Sequence, residues 1–230
     1  MLEKGYGASL IGKYHVRIKK RNQDAYLVSN TSKFKLAVVC DGLGTKKYSH
    51  IGSRKLCRVI HKQIKKCFKN KTLFVNDLIP LLQKKWRKSL WPIKPSDADT
   101  TCIFAIISEK NILMCQVGDG LCAFKENNST IVLSEKKDDF SNETVAFYKS
   151  NISNWKIQSI KKEDNNQYKL LLCTDGISED LKIEFLGEFI DELVASITKN
   201  KKNNNPCLVD LMKRWPNQFS NDDKTMVVIK

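Results

Sequence analysis

Short apolar runs separated by polar turns recur along most of the chain, and their length is typical of buried β-strands. They predict strands over residues 24–30, 34–41, 101–107, 111–118, 121–125, 130–133, 168–174 and 225–229. Longer segments that repeat apolar residues on one face predict helices over residues 49–70, 74–91, 184–198 and 207–214. Because the strands come in runs rather than in strict alternation with helices, the pattern favours an antiparallel α+β fold.

At 230 residues the chain has the size of one domain, and we expect a single unit over residues 1–230. Residues from about 134 to 167 break the pattern, because they are polar and show little periodicity. We expect this segment to form a polar surface insertion that contains a short strand near residues 156–160.

The formal net charge of +15 makes nucleic acid a candidate partner. However, nearly all the basic residues are lysines, and few aromatic residues are interleaved with them. They are densest over residues 54–71, where they form the solvent-exposed face of a predicted helix. A composition rich in Lys, Asn and Ile is also what an AT-biased genome gives. We therefore rank nucleic acid last among the partners.

The cysteines show neither a C-x-x-C pair nor the spacing of a zinc site. Cys40, Cys102, Cys115 and Cys173 lie inside predicted core strands, where a free thiol behaves as a small apolar side chain. The first residues lack the apolar core of a signal peptide, and no apolar run is long enough to span a membrane. We expect a soluble protein in a reducing cytoplasm.

Aspartates stand at the ends of three predicted strands, each followed by a glycine that allows a sharp turn. They are Asp41, Asp119 and Asp175, and an acidic pair, Asp222 and Asp223, precedes the last strand. Carboxylates are costly to bury without a partner, and these motifs contain no arginine. The pattern therefore predicts a shared cation, and oxygen-only ligands suit Mg²⁺ or Mn²⁺ better than zinc.

Such a cation site suggests phosphate chemistry. Two ions roughly 3.5–4 Å apart can activate a water molecule and clamp a phosphate group for in-line attack. A phosphoester hydrolase that works in this way needs no protein nucleophile. It needs the carboxylates, together with a basic group that holds the phosphate oxygens that do not react.

Six short motifs follow one another along nearly the whole chain. They are Asn22-Gln23-Asp24-Ala25, Asp41-Gly42-Leu43-Gly44, Asp99-Thr100-Thr101, Gly118-Asp119-Gly120, Thr174-Asp175-Gly176 and Asn221-Asp222-Asp223. Each alone is weak, because Asp-Gly is a common turn. As an ordered set they resemble the metal-dependent Ser/Thr protein phosphatases of the protein phosphatase 2C type, in a compact bacterial form. The resemblance implies a central antiparallel β-sandwich flanked by helices on both sides, with the metals at one edge.

The resemblance also implies a set of metal ligands. Asp41 would bridge two Mn²⁺ or Mg²⁺ ions, and the carbonyl oxygen of Gly42 would bind one of them. Asp175 and Asp222 would complete the shell of the first ion. Asp119 would serve a third and weaker site.

Water and phosphate would be held by other residues, again by resemblance. Asp24 would orient metal-bound water. The family's phosphate-binding arginine falls by simple counting at Lys19, and Arg17 or Arg21 could replace it. We favour Arg17, because a guanidinium grips phosphate with two hydrogen bonds whereas an ammonium acts as a point charge.

Besides Lys19, the chain departs from the family pattern at Gln23 and Leu43. Gln23 stands where many relatives carry Glu, although compact bacterial members often have Gln-Asp-Ala there. Its amide offers one oxygen but no charge, so the second ion would bind more weakly. Leu43 stands where some relatives have a histidine that is proposed to protonate the leaving group. That role would fall to metal-bound water or to His15.

The resemblance implies an enzyme that removes phosphate from phosphoserine and phosphothreonine in proteins, with a cognate Ser/Thr kinase as a further expected partner. The alternative is a catalytically weak or inactive pseudophosphatase that acts as a regulatory binding module. The retained aspartates argue against this alternative, whereas Gln23, Leu43 and Lys19 argue for it.

Overall fold

The computed structural model describes residues 5–70, 75–134, 145–162, 167–199, 204–216 and 220–230. Within these ranges, ten strands form two sheets of five strands each. The strands are β1 (Gly5–Leu10), β2 (Ala25–Asn30), β3 (Lys35–Cys40), β4 (Cys102–Ile107), β5 (Asn111–Val117), β6 (Leu121–Glu126), β7 (Ser129–Ser134), β8 (Lys156–Lys161), β9 (Tyr168–Cys173) and β10 (Lys224–Ile229). The helices are α1 (Lys13–Arg17), α2 (Ser49–Asn70), α3 (Val75–Leu90), α4 (Asp175–Ser178), α5 (Leu186–Lys199) and α6 (Asn204–Lys213).

Both sheets are antiparallel throughout their described pairings. Sheet A has the strand order β1-β10-β9-β6-β7, and sheet B has the order β2-β3-β4-β5-β8. In sheet B, Ala25 at the start of β2 faces Cys40 at the end of β3. The residues just outside this pair, Asp24 and Asp41, therefore leave the sheet at the same edge.

The two sheets pack face to face, and helices cover the outer face of each. Apolar side chains such as Val39 of sheet B and Phe124 of sheet A fill the space between the sheets. Ile60 of α2 and Trp86 of α3 are buried against sheet B, and Ile190 of α5 is buried against sheet A. This order of layers confirms the predicted fold class, an antiparallel β-sandwich flanked by helices on both sides.

The apolar pattern of the sequence does not predict two elements near the N-terminus, β1 and α1. Strand β1 is made largely of small residues, and a side chain at Gly7 would collide with the ring of Tyr26 in β2. The close approach of β1 to sheet B therefore requires small residues. Because small residues give no apolar run, the sequence pattern did not predict this strand. Helix α1, over Lys13–Arg17, is too short to show an apolar period.

The segment expected to form a polar surface insertion, at about 134–167, is partly integrated into the fold. Phe147 and Trp155 are buried in the core beneath α2 and α3. The short strand predicted near 156–160 is β8, which pairs with β5 along the edge of sheet B. Residues 135–144 and 163–166 of this segment lie outside the described parts of the chain. The described part of this segment therefore contributes Phe147 and Trp155 to the core and β8 to sheet B, while residues 151–154 are exposed.

Cysteine serves as a core side chain in this fold. All eight cysteines are free thiols, and six of them are buried. Burial raises the pKa of Cys122 well above the usual value for a thiol, so this side chain stays protonated and packs as an apolar group. Among the described helices, none combines the length and the apolar character that crossing a membrane requires.

Candidate metal centre

Three of the predicted aspartates converge where strands of both sheets end. Asp41 follows β3 in sheet B, Asp175 follows β9 in sheet A, and Asp119 lies in the turn that joins β5 to β6. One carboxylate oxygen from each residue lies within 4.8 Å of those of the other two. Three oxygen ligands at this spacing can surround a hard divalent cation.

The backbone of Asp41 is fixed from a neighbouring strand end. Its carbonyl oxygen accepts hydrogen bonds from the amide of Thr101, at 2.7 Å, and from the hydroxyl of Thr100, at 2.6 Å. Its own amide donates to the hydroxyl of Thr101 at 3.1 Å. These bonds hold the main chain at Asp41 rigidly, and so they restrict where its carboxylate can point.

Asp119 occupies a connection between the two sheets. It is flanked by Gly118 and Gly120, whose φ values are 85° and 97°. A residue with a side chain would be strained in this conformation. Because β5 belongs to sheet B and β6 to sheet A, this is a crossing between sheets and not a hairpin turn. The buried amide of Gln116 donates to the carbonyl oxygens of both glycines, at 3.1 Å each, and braces the crossing. Nothing in the sequence singled out Gln116.

Asp24 is buried beside this cluster. One of its oxygens, Oδ2, accepts a hydrogen bond from the hydroxyl of Thr174 at 2.9 Å. The other, Oδ1, is buried without a hydrogen-bond partner among the described residues. An orphaned carboxylate oxygen next to three other carboxylates is costly, and water held by a cation would satisfy it.

The electrostatics of the cluster favour the binding of positive charge. Burial raises the pKa of Asp41 well above its usual range, and Asp24, Asp175 and Asp119 raise it further. Burial, followed by Asp119 and Asp222, raises the pKa of Asp175 to about 7. The pKa of Asp24 is raised mainly by burial. Mutual repulsion of this kind is relieved by a bound divalent cation, so the residues present fit the metal that the sequence predicts.

The adjacent aspartates before β10 have separate tasks. Asp222 lies in the lining of an open cleft next to Asp41 and Asp175. Asp223 is buried, and it accepts hydrogen bonds from the backbone amides of Gly12, at 2.7 Å, and Gln23, at 2.6 Å. The resemblance assigned Asp222 as the ligand, but sequence reasoning gave no separate task to Asp223, its chemically identical neighbour.

His15 belongs to this buried group rather than to the cleft. Its Nδ1 lies 2.9 Å from Oδ2 of Asp223 and 3.6 Å from Oδ1 of Asp222. His15, Asp222 and Asp223 are close enough to one another to be considered as metal ligands. However, the carboxylate oxygens of Asp223 already accept hydrogen bonds from two backbone amides. We therefore interpret this arrangement as an anchor for the chain near residue 12 and not as a metal site.

The acidic cluster opens into a cleft of about 740 Å³. Asp99, which the sequence motif included without a role, lies in its lining and is largely buried. Its carboxylate accepts hydrogen bonds from the amides of Thr100, at 2.9 Å, and Tyr148, at 2.8 Å. Burial raises its pKa. The cleft lining also contains two basic residues, Lys46 and Lys149, which sequence reasoning did not single out.

The structure does not bring Arg17 and Lys19, the predicted phosphate-binding residues, into the lining of this cleft. Both are exposed. The guanidinium of Arg17 lies over the ring of Tyr14, with its central carbon 5.4 Å from the ring centroid. Lys20, by contrast, donates through its ammonium to the carbonyl oxygen of Gly44, a residue of the cleft.

Of the departures from the family pattern, Gln23 precedes β2 and contacts the start of α2, and Leu43 lies in the cleft. The buried amide of Gln23 donates to the hydroxyl of Ser49 and, at 3.5 Å, to the carbonyl oxygen of Lys46. Its Oε1 has no partner among the described residues. The backbone amide of Gly42 donates to the carbonyl oxygen of Gln23 at 3.2 Å. Leu43 lies in the cleft lining.

Several solved structures share this fold. The serine/threonine phosphatase Stp1 from Staphylococcus aureus gives a TM-score of 0.64 at 17% identity, over 100% of this chain and 95% of that chain. PppA from Pseudomonas aeruginosa gives 0.67 at 14% identity, over 100% and 98% of the two chains. RsbX, solved in complex with magnesium, gives a TM-score of 0.64 at 13% identity, over 99% of this chain and 94% of that chain. At these identities the likeness shows the fold alone.

Family membership rests on the sequence match. No curated protein sequence matches this chain. The profile of the family described as Protein phosphatase 2C, however, matches residues 11–213, which span α1 to α6 and every aspartate of the cluster except Asp222. The resemblance read from the short motifs is thereby confirmed, and the chain belongs to the protein phosphatase 2C family.

Proposed function

We propose that this chain is a metal-dependent phosphoprotein phosphatase that hydrolyses phosphoserine and phosphothreonine. The observation that carries the proposal is the convergence of Asp41, Asp119 and Asp175 at the mouth of an open cleft, with oxygens within 4.8 Å of one another. Family membership supports a phosphatase activity, and the cluster supplies the oxygen ligands that such chemistry requires.

In this proposal Asp41, Asp175, Asp222 and the carbonyl oxygen of Gly42 would hold the principal ions, and Asp119 would hold a further, weaker one. When bound, Mn²⁺ or Mg²⁺ supplies the positive charge that activates water and neutralises phosphate oxygens. The chain contributes rigidity, because each aspartate is placed by a strand end or by a braced turn. Ligands that are fixed in advance need little reorganisation during the reaction.

Asp24 acts on water in this scheme. Its Oδ2 is held by Thr174, which leaves Oδ1 to accept a hydrogen bond or a proton from water in the site. Burial and the nearby Asp223 raise its pKa, so it accepts a proton more readily than an exposed aspartate does.

Basic residues hold the phosphoprotein. Lys46 and Lys149 lie in the lining of the cleft, where their charge favours an anionic substrate. Arg17 and Lys19 remain proposed phosphate ligands, and Arg17 would have to leave its contact with Tyr14 to reach the phosphate. We place the activity in the cytoplasm, with a cognate Ser/Thr kinase producing the phosphoproteins that this chain dephosphorylates.

Hydrolysis of a phosphothreonine peptide tests the proposal. We expect turnover with Mn²⁺ that is lost in EDTA and lost in Asp41→Asn, because the bridging carboxylate is then neutral. Asp210→Asn, on the exposed surface of α6, is the matched control and should retain full activity. Full activity of Asp41→Asn would contradict the proposal. A folded, metal-loaded wild type without turnover would instead support the pseudophosphatase.

A further inference from the structure

An exposed apolar surface lies next to the candidate metal centre. We call residues 11–21 the N-terminal platform; they include α1 and the loop that leads to Asp24. Within the platform, Ile11, Tyr14, Val16 and Ile18 have 42% to 57% of their surface exposed. In α1 the only buried residue is His15. Large apolar side chains grouped in this way on a surface are typical of a protein-binding site.

The platform is also strongly basic. It contains Lys13, Arg17, Lys19, Lys20 and Arg21, and it has no acidic residue. All five are exposed or half-buried. Alternating apolar and basic side chains can bind a segment that alternates apolar and acidic residues, through burial of apolar surface and complementary charge.

Hydrogen bonds fix the platform to the metal centre. The amide of Gly12 donates to the buried carboxylate of Asp223 at 2.7 Å, and the amide of Tyr14 donates to the carbonyl oxygen of Asn221 at 3.1 Å. At its other end, Lys20 donates to Gly44 in the cleft lining. The platform is therefore a rigid continuation of the cleft and not a mobile tail.

We propose that the N-terminal platform docks an acidic, apolar segment of the phosphoprotein substrate, adjacent to the phosphorylated residue. The inference rests on the proposed function and assigns the substrate class to the same site. A protein segment fits this surface better than nucleic acid does, because three of the four exposed apolar side chains are aliphatic and cannot stack on bases.

Two phosphothreonine peptides test the docking. One carries alternating Glu and Leu beside the phosphorylated residue, and the other carries Gln and Ser at the same positions. The double variant Val16→Ser with Ile18→Ser should raise KM for the Glu/Leu peptide about tenfold, with kcat unchanged, because two apolar contacts are lost. Its kinetics with the Gln/Ser peptide and with p-nitrophenyl phosphate should match those of the wild type.

The matched control replaces two exposed apolar residues elsewhere, Ile183→Ser with Phe185→Ser, and should leave KM for the Glu/Leu peptide unchanged. High salt should raise KM for this peptide in the wild type, because charges steer the contact. An unchanged KM in the Val16→Ser with Ile18→Ser variant overturns the docking, and so does an equal rise in KM for both peptides.

A binding measurement separates failure of the docking from failure of the proposed function. The unphosphorylated Glu/Leu peptide, labelled with a fluorophore, should bind the wild type and bind the double variant about tenfold more weakly by anisotropy. If neither phosphothreonine peptide is hydrolysed, the phosphatase proposal fails while this binding still tests the platform. Equal binding of the peptide by both proteins, or loss only of binding to an oligonucleotide or to anionic vesicles, overturns the docking.

Discussion

The carboxylate of Asp223 accepts a hydrogen bond from the backbone amide of Gln23 at 2.6 Å, across 200 positions of sequence. It also accepts from Gly12 and lies 2.9 Å from a ring nitrogen of His15. One buried side chain therefore ties the start of β10 to the residue before Asp24. The N-terminal and C-terminal parts of the metal centre share this link.

Replacing Asp223 should destabilise the fold. In Asp223→Ala the amides of Gly12 and Gln23 lose their acceptor while buried, so we expect a loss of about 2–4 kcal/mol in the free energy of unfolding. Asp223→Asn keeps one acceptor oxygen and should lose less. Urea denaturation of the metal-free protein measures both. Asp210→Ala, on the surface of α6, is the control and should change stability by less than about 0.5 kcal/mol.

Removing the hydroxyl of Thr174 should weaken the metal centre. This hydroxyl donates to Asp24 at 2.9 Å and accepts from the amide of Thr225 at 3.0 Å. We expect Thr174→Val to bind Mn²⁺ several-fold more weakly in calorimetry and to lose about 1–2 kcal/mol of stability. Thr198→Val removes an exposed hydroxyl from α5 and should leave both quantities unchanged. Wild-type affinity in Thr174→Val would show that Asp24 needs no such support.

The stability of the metal-free protein should fall as the pH rises from about 4 to about 7. The pKa of Asp175 is about 7 in the folded chain against an ordinary value of 3.8, so across this window the folded state binds more protons than the unfolded state. Raising the pH therefore favours unfolding. Melting temperatures measured in EDTA should show this slope. Asp175→Asn should flatten it, and a slope unchanged in this variant would assign the effect to other groups.

Neutralising Asp41, the proposed bridging ligand, should have opposite effects with and without metal. In EDTA, Asp41→Asn removes one of several mutually repelling carboxylates, so we expect a gain of roughly 1 kcal/mol in stability. With Mg²⁺ or Mn²⁺ the wild type should be stabilised and the variant should not, because the ion binds only the folded wild type. Thermal melts with and without each ion measure both effects. A variant still stabilised by metal would place the principal ligands elsewhere.

Much of the fold and of the acidic cluster could be predicted from sequence, because the same local signal marks both. Asp41, Asp119 and Asp175 each end an apolar run and precede a glycine, so the strand and the ligand are found together. The two glycines beside Asp119 also permit a hairpin turn, and only the pairing of β5 and β6 in different sheets excludes it. Local signals gave the position of this residue but not the kind of connection it occupies.

The remaining residues of the site depend on contacts between distant parts of the chain. Asp222 and Asp223 are adjacent and chemically identical, and only the packing of residues 12 and 23 gives them different tasks. Lys46 and Lys149 lie in the cleft because segments far apart in sequence meet there. Counting from a motif placed the phosphate ligand at Lys19, and chemistry favoured Arg17, but neither can show that the guanidinium of Arg17 lies over the ring of Tyr14.

Strand β10 lies inside sheet A, between β1 and β9, although it is the last of the described strands in the chain. Its pairing partners begin at Gly5 on one side and at Leu170 on the other. Asp222 can therefore reach the cleft only after the two ends of the described chain have met. A polypeptide in which residues 222–229 have not yet docked lacks this proposed ligand and an inner strand of sheet A. Binding of metal through Asp222, as proposed, therefore requires the long-range pairing of β10 with β1 and β9.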